Sequence, residues 1–353
     1  MTPAPTLSPA PSVSVAPSLS LPPGGGIGGG ACVDYGAFDG IFRNDGTLNI
    51  AAESSVVLGK GINIDAKDAK KSWAILAGSG TANCFRDTVD TFVTINGTVA
   101  ESKYGHALIA TDGTAVTMCD GHLQGGLHMP GPGYLQMACG SILAGSYSSS
   151  EIVPFPAVRL QDTLFKSNIT GGNIIGGHWS GDHYWGKRGP SMFIGTYDQD
   201  VDFMLGRIVT PLSVHVNIFG GTFEGNWDLY PKSVINVHGY DLELSDDNEM
   251  PCPSYFHYSQ DPPDTTTCRT LTGYLCDDSP INVKIRFISG ESNSKYIDIN
   301  KKGEVNVFND VNCKTVVPEI DGCGMQKCKK KSAKSGKQVP KKSDKSGKEN
   351  MFG

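Results

Sequence analysis

Residues 177–188 hold the densest set of side chains capable of chemistry: Gly177-His178-Trp179-Ser180-Gly181-Asp182-His183-Tyr184-Trp185-Gly186-Lys187-Arg188. His178, Asp182 and His183 carry the groups used in general acid–base transfer, and Lys187 and Arg188 would stabilise developing negative charge. Trp179, Tyr184 and Trp185 offer aromatic faces on which a sugar ring can stack. The cluster is therefore a candidate for saccharide binding or cleavage, against the plainer reading of an aromatic loop packed on the flank of a larger body. Asp198, Asp200 and Asp202 begin like a calcium loop. Phe203 stands where such a loop needs glycine, and Val209 stands where it needs a bidentate Glu. Three solvated acids are the competing reading, so no cofactor is expected beyond calcium at this one candidate. Asn96-Gly97-Thr98 and Asn168-Ile169-Thr170 are acceptor sequences for N-glycosylation.

A second chemistry lies in the charge distribution. Residues 327–353 contain ten Lys against Asp344 and Glu349, a balance of +8, and the whole chain sums to −6, so the remainder carries −14. Lys329, Lys330, Lys331, Lys334, Lys337, Lys341, Lys342, Lys345 and Lys348 are spaced by Ser and Gly, a composition expected to stay disordered. Lysine without arginine makes mobile point charges and does not favour bidentate readout. That suits broad polyanionic surfaces such as silica, acidic polysaccharide or nucleic acid, and with the cysteines pointing outside the cell nucleic acid is not the expected partner. A nuclear signal and a merely solubilising tail are the rival readings.

The ten cysteines are even in number, and none forms a zinc-type pair spacing. Cys252, Cys268, Cys276, Cys313, Cys323 and Cys328 crowd the C-terminal third, as expected for disulfides formed in an oxidising compartment. Cys119 and Cys139 lie 20 apart, each followed four residues on by Leu123 or Leu143 and then by Gly125 or Gly145. In adjacent coils they would sit about 4.8 Å apart, within disulfide range; two stacked thiols are the alternative. An extracellular location follows, on the cell surface or in the wall. The start of the chain has no basic n-region or apolar h-region, which points to a removed leader or a start inside a longer product. No apolar run long enough to span a membrane is present.

The elements that must position these groups come from a recurring pattern between residues 45 and 245. Its copies are Val93-Thr-Ile95-Asn-Gly97, Val116-Thr-Met118-Cys-Asp-Gly121, Leu135-Gln-Met137-Ala-Cys-Gly140, Ile169-Thr-Gly171-Gly172, Val216-Asn-Ile218-Phe-Gly220-Gly221 and Ile235-Asn-Val237-His-Gly239, with a weaker one near Val57–Ile64. Alternating apolar residues send one side of a short strand inward, and glycine lets the backbone turn. Taking Ile95, Met118, Met137, Ile169, Ile218 and Val237 as equivalent gives gaps of 23, 19, 32, 49 and 19. An extra turn at Met192-Phe193-Ile194 would split the 49, and an external loop around Ile152–Leu160 would explain the 32. Most gaps then match one turn of a solenoid.

The expected fold is all-β, a right-handed parallel β-helix (β-solenoid). Residues 1–31 read as a disordered Pro/Ser/Gly-rich linker, 32–245 as the solenoid, 246–326 as a Cys-rich cap and 327–353 as the disordered tail. An antiparallel sandwich is the competing architecture.

The segments Val216-Asn-Ile-Phe-Gly-Gly-Thr-Phe-Glu-Gly, Ser233-Val-Ile-Asn-Val-His-Gly and Leu271-Thr-Gly-Tyr-Leu-Cys-Asp-Asp-Ser-Pro-Ile-Asn resemble extracellular β-solenoid repeat proteins of some bacteria and algae. The Lys-x-x-Lys spacing at 331–334–337 and 342–345–348 resembles lysine-rich segments of silaffin-type diatom proteins, which implies silica as partner. Parallel β-helices often act on polysaccharides. The ordered Asn-Thr-Asp, Asp-Asp, Gly-His-Gly and Arg-x-Lys elements of polygalacturonase-like hydrolases are not present together, although Asp246-Asp247 and Asp277-Asp278 are. The first functional expectation is a secreted structural protein anchored through its basic tail. The alternative is a carbohydrate-binding or polysaccharide-degrading protein, a lyase or glycoside hydrolase, using residues 177–188.

Overall fold

The computed structural model describes residues 47–66, 73–79, 89–102, 105–111, 113–131, 133–145, 156–161, 165–177, 189–195, 214–230, 232–246, 267–287, 303–310 and 312–323. Among these the chain is all-β apart from a single helical turn, α1 (Cys313–Val316). The strands are β1 (Leu48–Ala51), β2 (Ser55–Leu58), β3 (Asn63–Ala66), β4 (Trp73–Ser79), β5 (Thr91–Ser102), β6 (His106–Ala110), β7 (Thr114–Gly125), β8 (Leu127–Met129), β9 (Gly133–Met137) and β10 (Ser141–Ala144). They continue with β11 (Val158–Leu160), β12 (Ser167–Ile175), β13 (Met192–Ile194), β14 (Val214–Glu224), β15 (Trp227–Leu229), β16 (Ser233–Asp246), β17 (Thr267–Leu275), β18 (Pro280–Phe287) and β19 (Glu304–Asn309). All belong to one sheet, and the pairings are parallel except those of β17 with β16 and β18.

The parallel pairings form three ladders that the chain visits in turn. The first places Leu58, Ile95, Met118, Met137, Ile169, Ile218, Val237 and Val307 side by side. The residues that the sequence pattern aligned are neighbours here, in the expected register. The second ladder runs from β3 through the C-terminal halves of β5 and β7 to β10, then the C-terminal halves of β12 and β14. The third joins β1, β4, β6, β8, β11, β13, β15 and β18. Inward residues of all three meet in one apolar core. Fully burying each Leu or Ile contributes about 1.5–3 kcal/mol, but one strand of a ladder cannot cover its own inward side chains, so the gain requires paired neighbours on both sides.

Glycine makes the corner between the first two ladders. Gly172 has φ +96°, and a Cβ there would lie 2.4 Å from Met137 Cε and 2.9 Å from the Gly140 carbonyl oxygen. Both conformation and space demand glycine, and the positive φ of Gly97, Gly121, Gly140 and Gly221 explains why glycine follows the apolar pair in those copies as well. Along the outer side of the first ladder, amides bond from strand to strand. Asn168 Nδ2 donates to Gln136 Oε1 (3.0 Å), Asn217 Nδ2 to Asn168 Oδ1 (2.8 Å), Asn236 Nδ2 to Asn217 Oδ1 (2.9 Å) and Asn306 Nδ2 to Asn236 Oδ1 (3.1 Å). Asn168, Asn217 and Asn236 each both give and accept in the row, with Gln136 accepting at one end and Asn306 donating at the other, which reinforces the parallel register.

Several expectations need correction. Ile169 pairs directly with Ile218, so Met192–Ile194 adds no turn to the first ladder; it is β13, a rung of the third. Val158–Leu160 is likewise a third-ladder strand with Val158 and Leu160 fully buried, not part of an external loop. An apolar triplet marks a face of a coil and does not count coils. Cys119 and Cys139 do not bond to each other. Met118 pairs with Met137 and His122 with Ser141, a constant offset of 19, so Cys119 stands abreast of Ala138 and Cys139 falls one residue out of register. Cys119 instead bonds Cys323, 204 residues away, with Cα atoms 4.8 Å apart. Cys276 bonds Cys313, and Cys139 and Cys268 are disulfide-bonded as well. Cys252 and Cys328 lie outside the described residues.

Parallel stacking continues past residue 245. Ile285 in β18 pairs with Trp227, and Val305 in β19 pairs with Ile235. Between them, β16 runs on past the corner where β14 turned, and pairs antiparallel with β17.

Two measurements check this account. Gly172→Ala is expected to lower the urea unfolding free energy by more than about 1 kcal/mol, because alanine does not fit the left-handed backbone. Replacing Cys119 and Cys323 together by Ala is expected to cost about 2–4 kcal/mol by the same assay; an unchanged midpoint would contradict the role given to this cross-link.

Candidate functional site

The residues singled out by sequence distribute unevenly. His178, Trp179, Asp182, His183, Tyr184, Trp185, Lys187 and Arg188, the acids Asp198, Asp200 and Asp202, and the lysines from Lys329 to Lys348 lie outside the described residues. Asn96 sits at the corner between the first and second ladders. Asn168 is a member of the amide row, its Nδ2 already donating to Gln136. Asp277 works in a turn: its carboxylate accepts from the Gly221 and Ser279 backbone amides (2.9 and 3.0 Å) and from the Ser279 hydroxyl (2.9 Å). Asp246 pairs with Arg269 at 2.7 Å on the surface, where such a pair contributes little. Among the described residues there is no group of three or more metal-ligating side chains, and no helix is long and apolar enough to cross a membrane.

The third ladder holds the buried polar chemistry. Its middle column points away from the core, yet Leu76, Ile109, Phe193, Asp228 and Arg286 are all buried. The local sequences are accordingly almost continuously apolar, Trp73-Ala-Ile-Leu-Ala77 and His106-Ala-Leu-Ile-Ala110, as expected for strands covered on both sides. Arg286 grips Asp228 through two hydrogen bonds, Nε to Oδ1 at 2.7 Å and Nη2 to Oδ2, with both side chains shut off from water. Burial pushes the Asp228 carboxyl up, opposed by the Arg286 charge. Three and four strands along the same ladder from Asp228, on β8 and β6, the His128 and His106 rings lie 4.8 Å apart. His128 Nε2 donates to Gln161 Oε1 at 2.6 Å. Burial, followed by the nearby Arg159 charge, lowers His106 to about 4. Burial, His106 and Arg159 lower His128 to about 3, against the Gln161 hydrogen bond. Both imidazoles are therefore neutral near pH 7.

A different set of side chains reaches the surface where β16, β17 and β19 meet. His238 pairs laterally with Phe308, and its ring is sandwiched between Phe219 (4.4 Å, 16°) and Phe308 (4.7 Å, 10°). Asp310 holds the imidazole in place, accepting from Nδ1 at 2.9 Å. Two residues on, and hence on the same side of β16, Tyr240 pairs across the antiparallel rung with Tyr274, rings 5.3 Å apart and nearly parallel at 10°. The Tyr240 hydroxyl donates to Asp278 Oδ1 at 3.2 Å. Tyr240, Tyr274 and Phe308 are 37%, 44% and 42% exposed, large values for rings held in stacks. The result is two short parallel aromatic stacks, side by side and edged by carboxylates.

None of these surface residues was singled out by spacing. Tyr240 and Tyr274 each follow a glycine in segments that carried the fold pattern, Gly239-Tyr240 and Gly273-Tyr274. That doublet was the one available signal. Comparison with protein-family models, with curated proteins and with solved structures gave no match.

The histidine pair makes a pH prediction. Folded-state values sit below the ordinary 6.5, so the unfolded chain takes up protons first. The contribution of neutral imidazole is complete above pH 6.5 and is lost as pH falls toward 4. Between pH 6.5 and 5.5, above the ordinary carboxylate range, unfolding free energy is expected to fall by about 2 kcal/mol. Replacing His106 and His128 together by Gln should flatten that slope in urea titrations.

Proposed function

We propose that the chain is an extracellular structural protein: a right-handed parallel β-helix, closed at its C-terminal end by disulfides, whose lysine-rich tail attaches it to an anionic phase, silica or acidic polysaccharide. Support for the body comes from the cyclic order of the three ladders. A chain that passes repeatedly through the same three parallel ladders advances by one coil per circuit, and parallel crossovers are overwhelmingly right-handed. A stack with a continuous core and an amide row resists bending, because bending must separate rungs on one side. Disulfides fit an oxidising compartment.

Support for attachment comes from charge. A tail of +8 on a remainder of −14 keeps its lysines available to an outside polyanion only where that surface outcompetes the acidic body. Such binding is electrostatic and screened by salt.

Sedimentation with silica particles and with an acidic polysaccharide tests this reading. The full chain is expected to co-sediment at low ionic strength and to be released by salt, and a chain ending at Gln326 is expected to stay in solution. Equal sedimentation of both chains would overturn the role of the tail.

A further inference from the structure

The geometry points to a saccharide-binding site at the C-terminal end of the stack, formed by Phe308, Tyr240 and Tyr274 with Asp278 and Asp310, and taking a neutral glycan. It uses no residue of the tail or of 177–188, and it does not rest on the anchoring role.

The rings are fixed before any ligand arrives. Phe308 is backed by His238 and Phe219, and Tyr240 is backed by Tyr274. The imidazole between the phenylalanines is oriented by Asp310, and the Tyr240 hydroxyl by Asp278. Both stacks run across the strands, in the direction in which the rungs succeed one another. Among the described residues no further ring stacks on Phe308 beyond His238, or on Tyr240 opposite Tyr274. Exposed aromatic surface of this size, held rigid, is the usual mark of a binding surface. Ordering costs little there, because the side chains have already lost their rotamer freedom.

Chemistry narrows the ligand. A pyranose presents a face of C–H groups that packs on an aromatic ring, and a rim of hydroxyls that donate to carboxylates. Asp278 and Asp310 each have one oxygen directed to Tyr240 or His238, with the other carboxylate oxygen of each carrying no described hydrogen bond. Asp241 adds a third acid beside Tyr240, at an exposed residue with φ +52°. This acidic rim repels phosphorylated, sulfated or uronic-acid glycans and favours uncharged ones. Past the rings the same outer surface of β17 and β18 continues with Thr272 and Asn282, which pair directly across the hairpin and offer further hydrogen-bonding groups. An amine-rich ligand would also suit rings and acids, but its binding would be salt-sensitive, whereas ring stacking against a neutral sugar is not.

Binding of the full chain to soluble oligomers of glucose (β-1,4 and β-1,3 linked), mannose and N-acetylglucosamine, measured by calorimetry, tests the site. About 0.5 M salt removes the contribution of the tail. At least one oligomer is expected to bind, and Tyr240→Ala and Phe308→Ala are each expected to weaken it about tenfold or more. Tyr240→Trp should retain affinity, and Phe165→Ala, an exposed ring just before β12, should leave it unchanged. Thermal unfolding of each variant verifies that the stack is intact. Absence of binding to every oligomer, wild-type affinity in both alanine variants, an equal loss in Phe165→Ala, or binding confined to spermidine and abolished by salt would each overturn the assignment.

Discussion

A short strand with one apolar side has no fold of its own; it needs an identical neighbour above and below. Every other feature of this protein follows from that demand for parallel registration. Side chains at one ladder position must accept the side chains of the next coil at a separation of about 4.8 Å, so each column becomes a sequence of compatible residues: Leu, Ile, Met, Met, Ile, Ile, Val, Val on the inside, and Gln, Asn, Asn, Asn, Asn on the outside. The corner glycines serve the same demand. A side chain at Gly172 would collide with the coil below, opening the ladder at its tightest point.

The first ladder was legible because its signal is local and repeated. Two alternating apolar residues followed by glycine recur with enough regularity to align Ile95 through Val237 correctly. The third ladder was hard to read for the opposite reason. Its strands are brief, and their outward column is covered, so Met192-Phe193-Ile194 and Ala74-Ile75-Leu76-Ala77 show no alternation. A triplet apolar on both sides carries no information about which ladder it joins. The cysteine error has the same root. A 20-residue spacing looks like one repeat, but the register offset from β7 to β9 and β10 is 19 residues, and one residue of slip turns a side chain to the other face.

The surface aromatics were illegible because their meaning is relational. Tyr240 is unremarkable until β17 brings Tyr274 beside it, and His238 until β19 adds Phe308. Strand β17 pairs antiparallel in an otherwise parallel sheet, and it takes the place beside β16 that β14 leaves by turning at Gly220-Gly221. Among the described residues, this departure from parallel pairing thus brings the exposed Tyr240, Tyr274 and Phe308 rings together from three strands. The buried Asp228–Arg286 pair lies on the same terminal rungs. Removing either partner would strand an ion in the interior, at about 3–5 kcal/mol.

The bond between Cys119 and Cys323 has a mechanical meaning. In a stacked ladder a tension applied at one end ordinarily peels the last rung first, then the next, each at the modest force that breaks a few hydrogen bonds. Here a pull on the chain beyond Cys323 passes through sulfur to Cys119, in the middle of β7. The load enters where β5, β9 and β10 already clasp that strand on both sides, and the rungs from β12 to β19 are bypassed. Force therefore enters at an interior strand held from both sides, and not at an edge free to unzip.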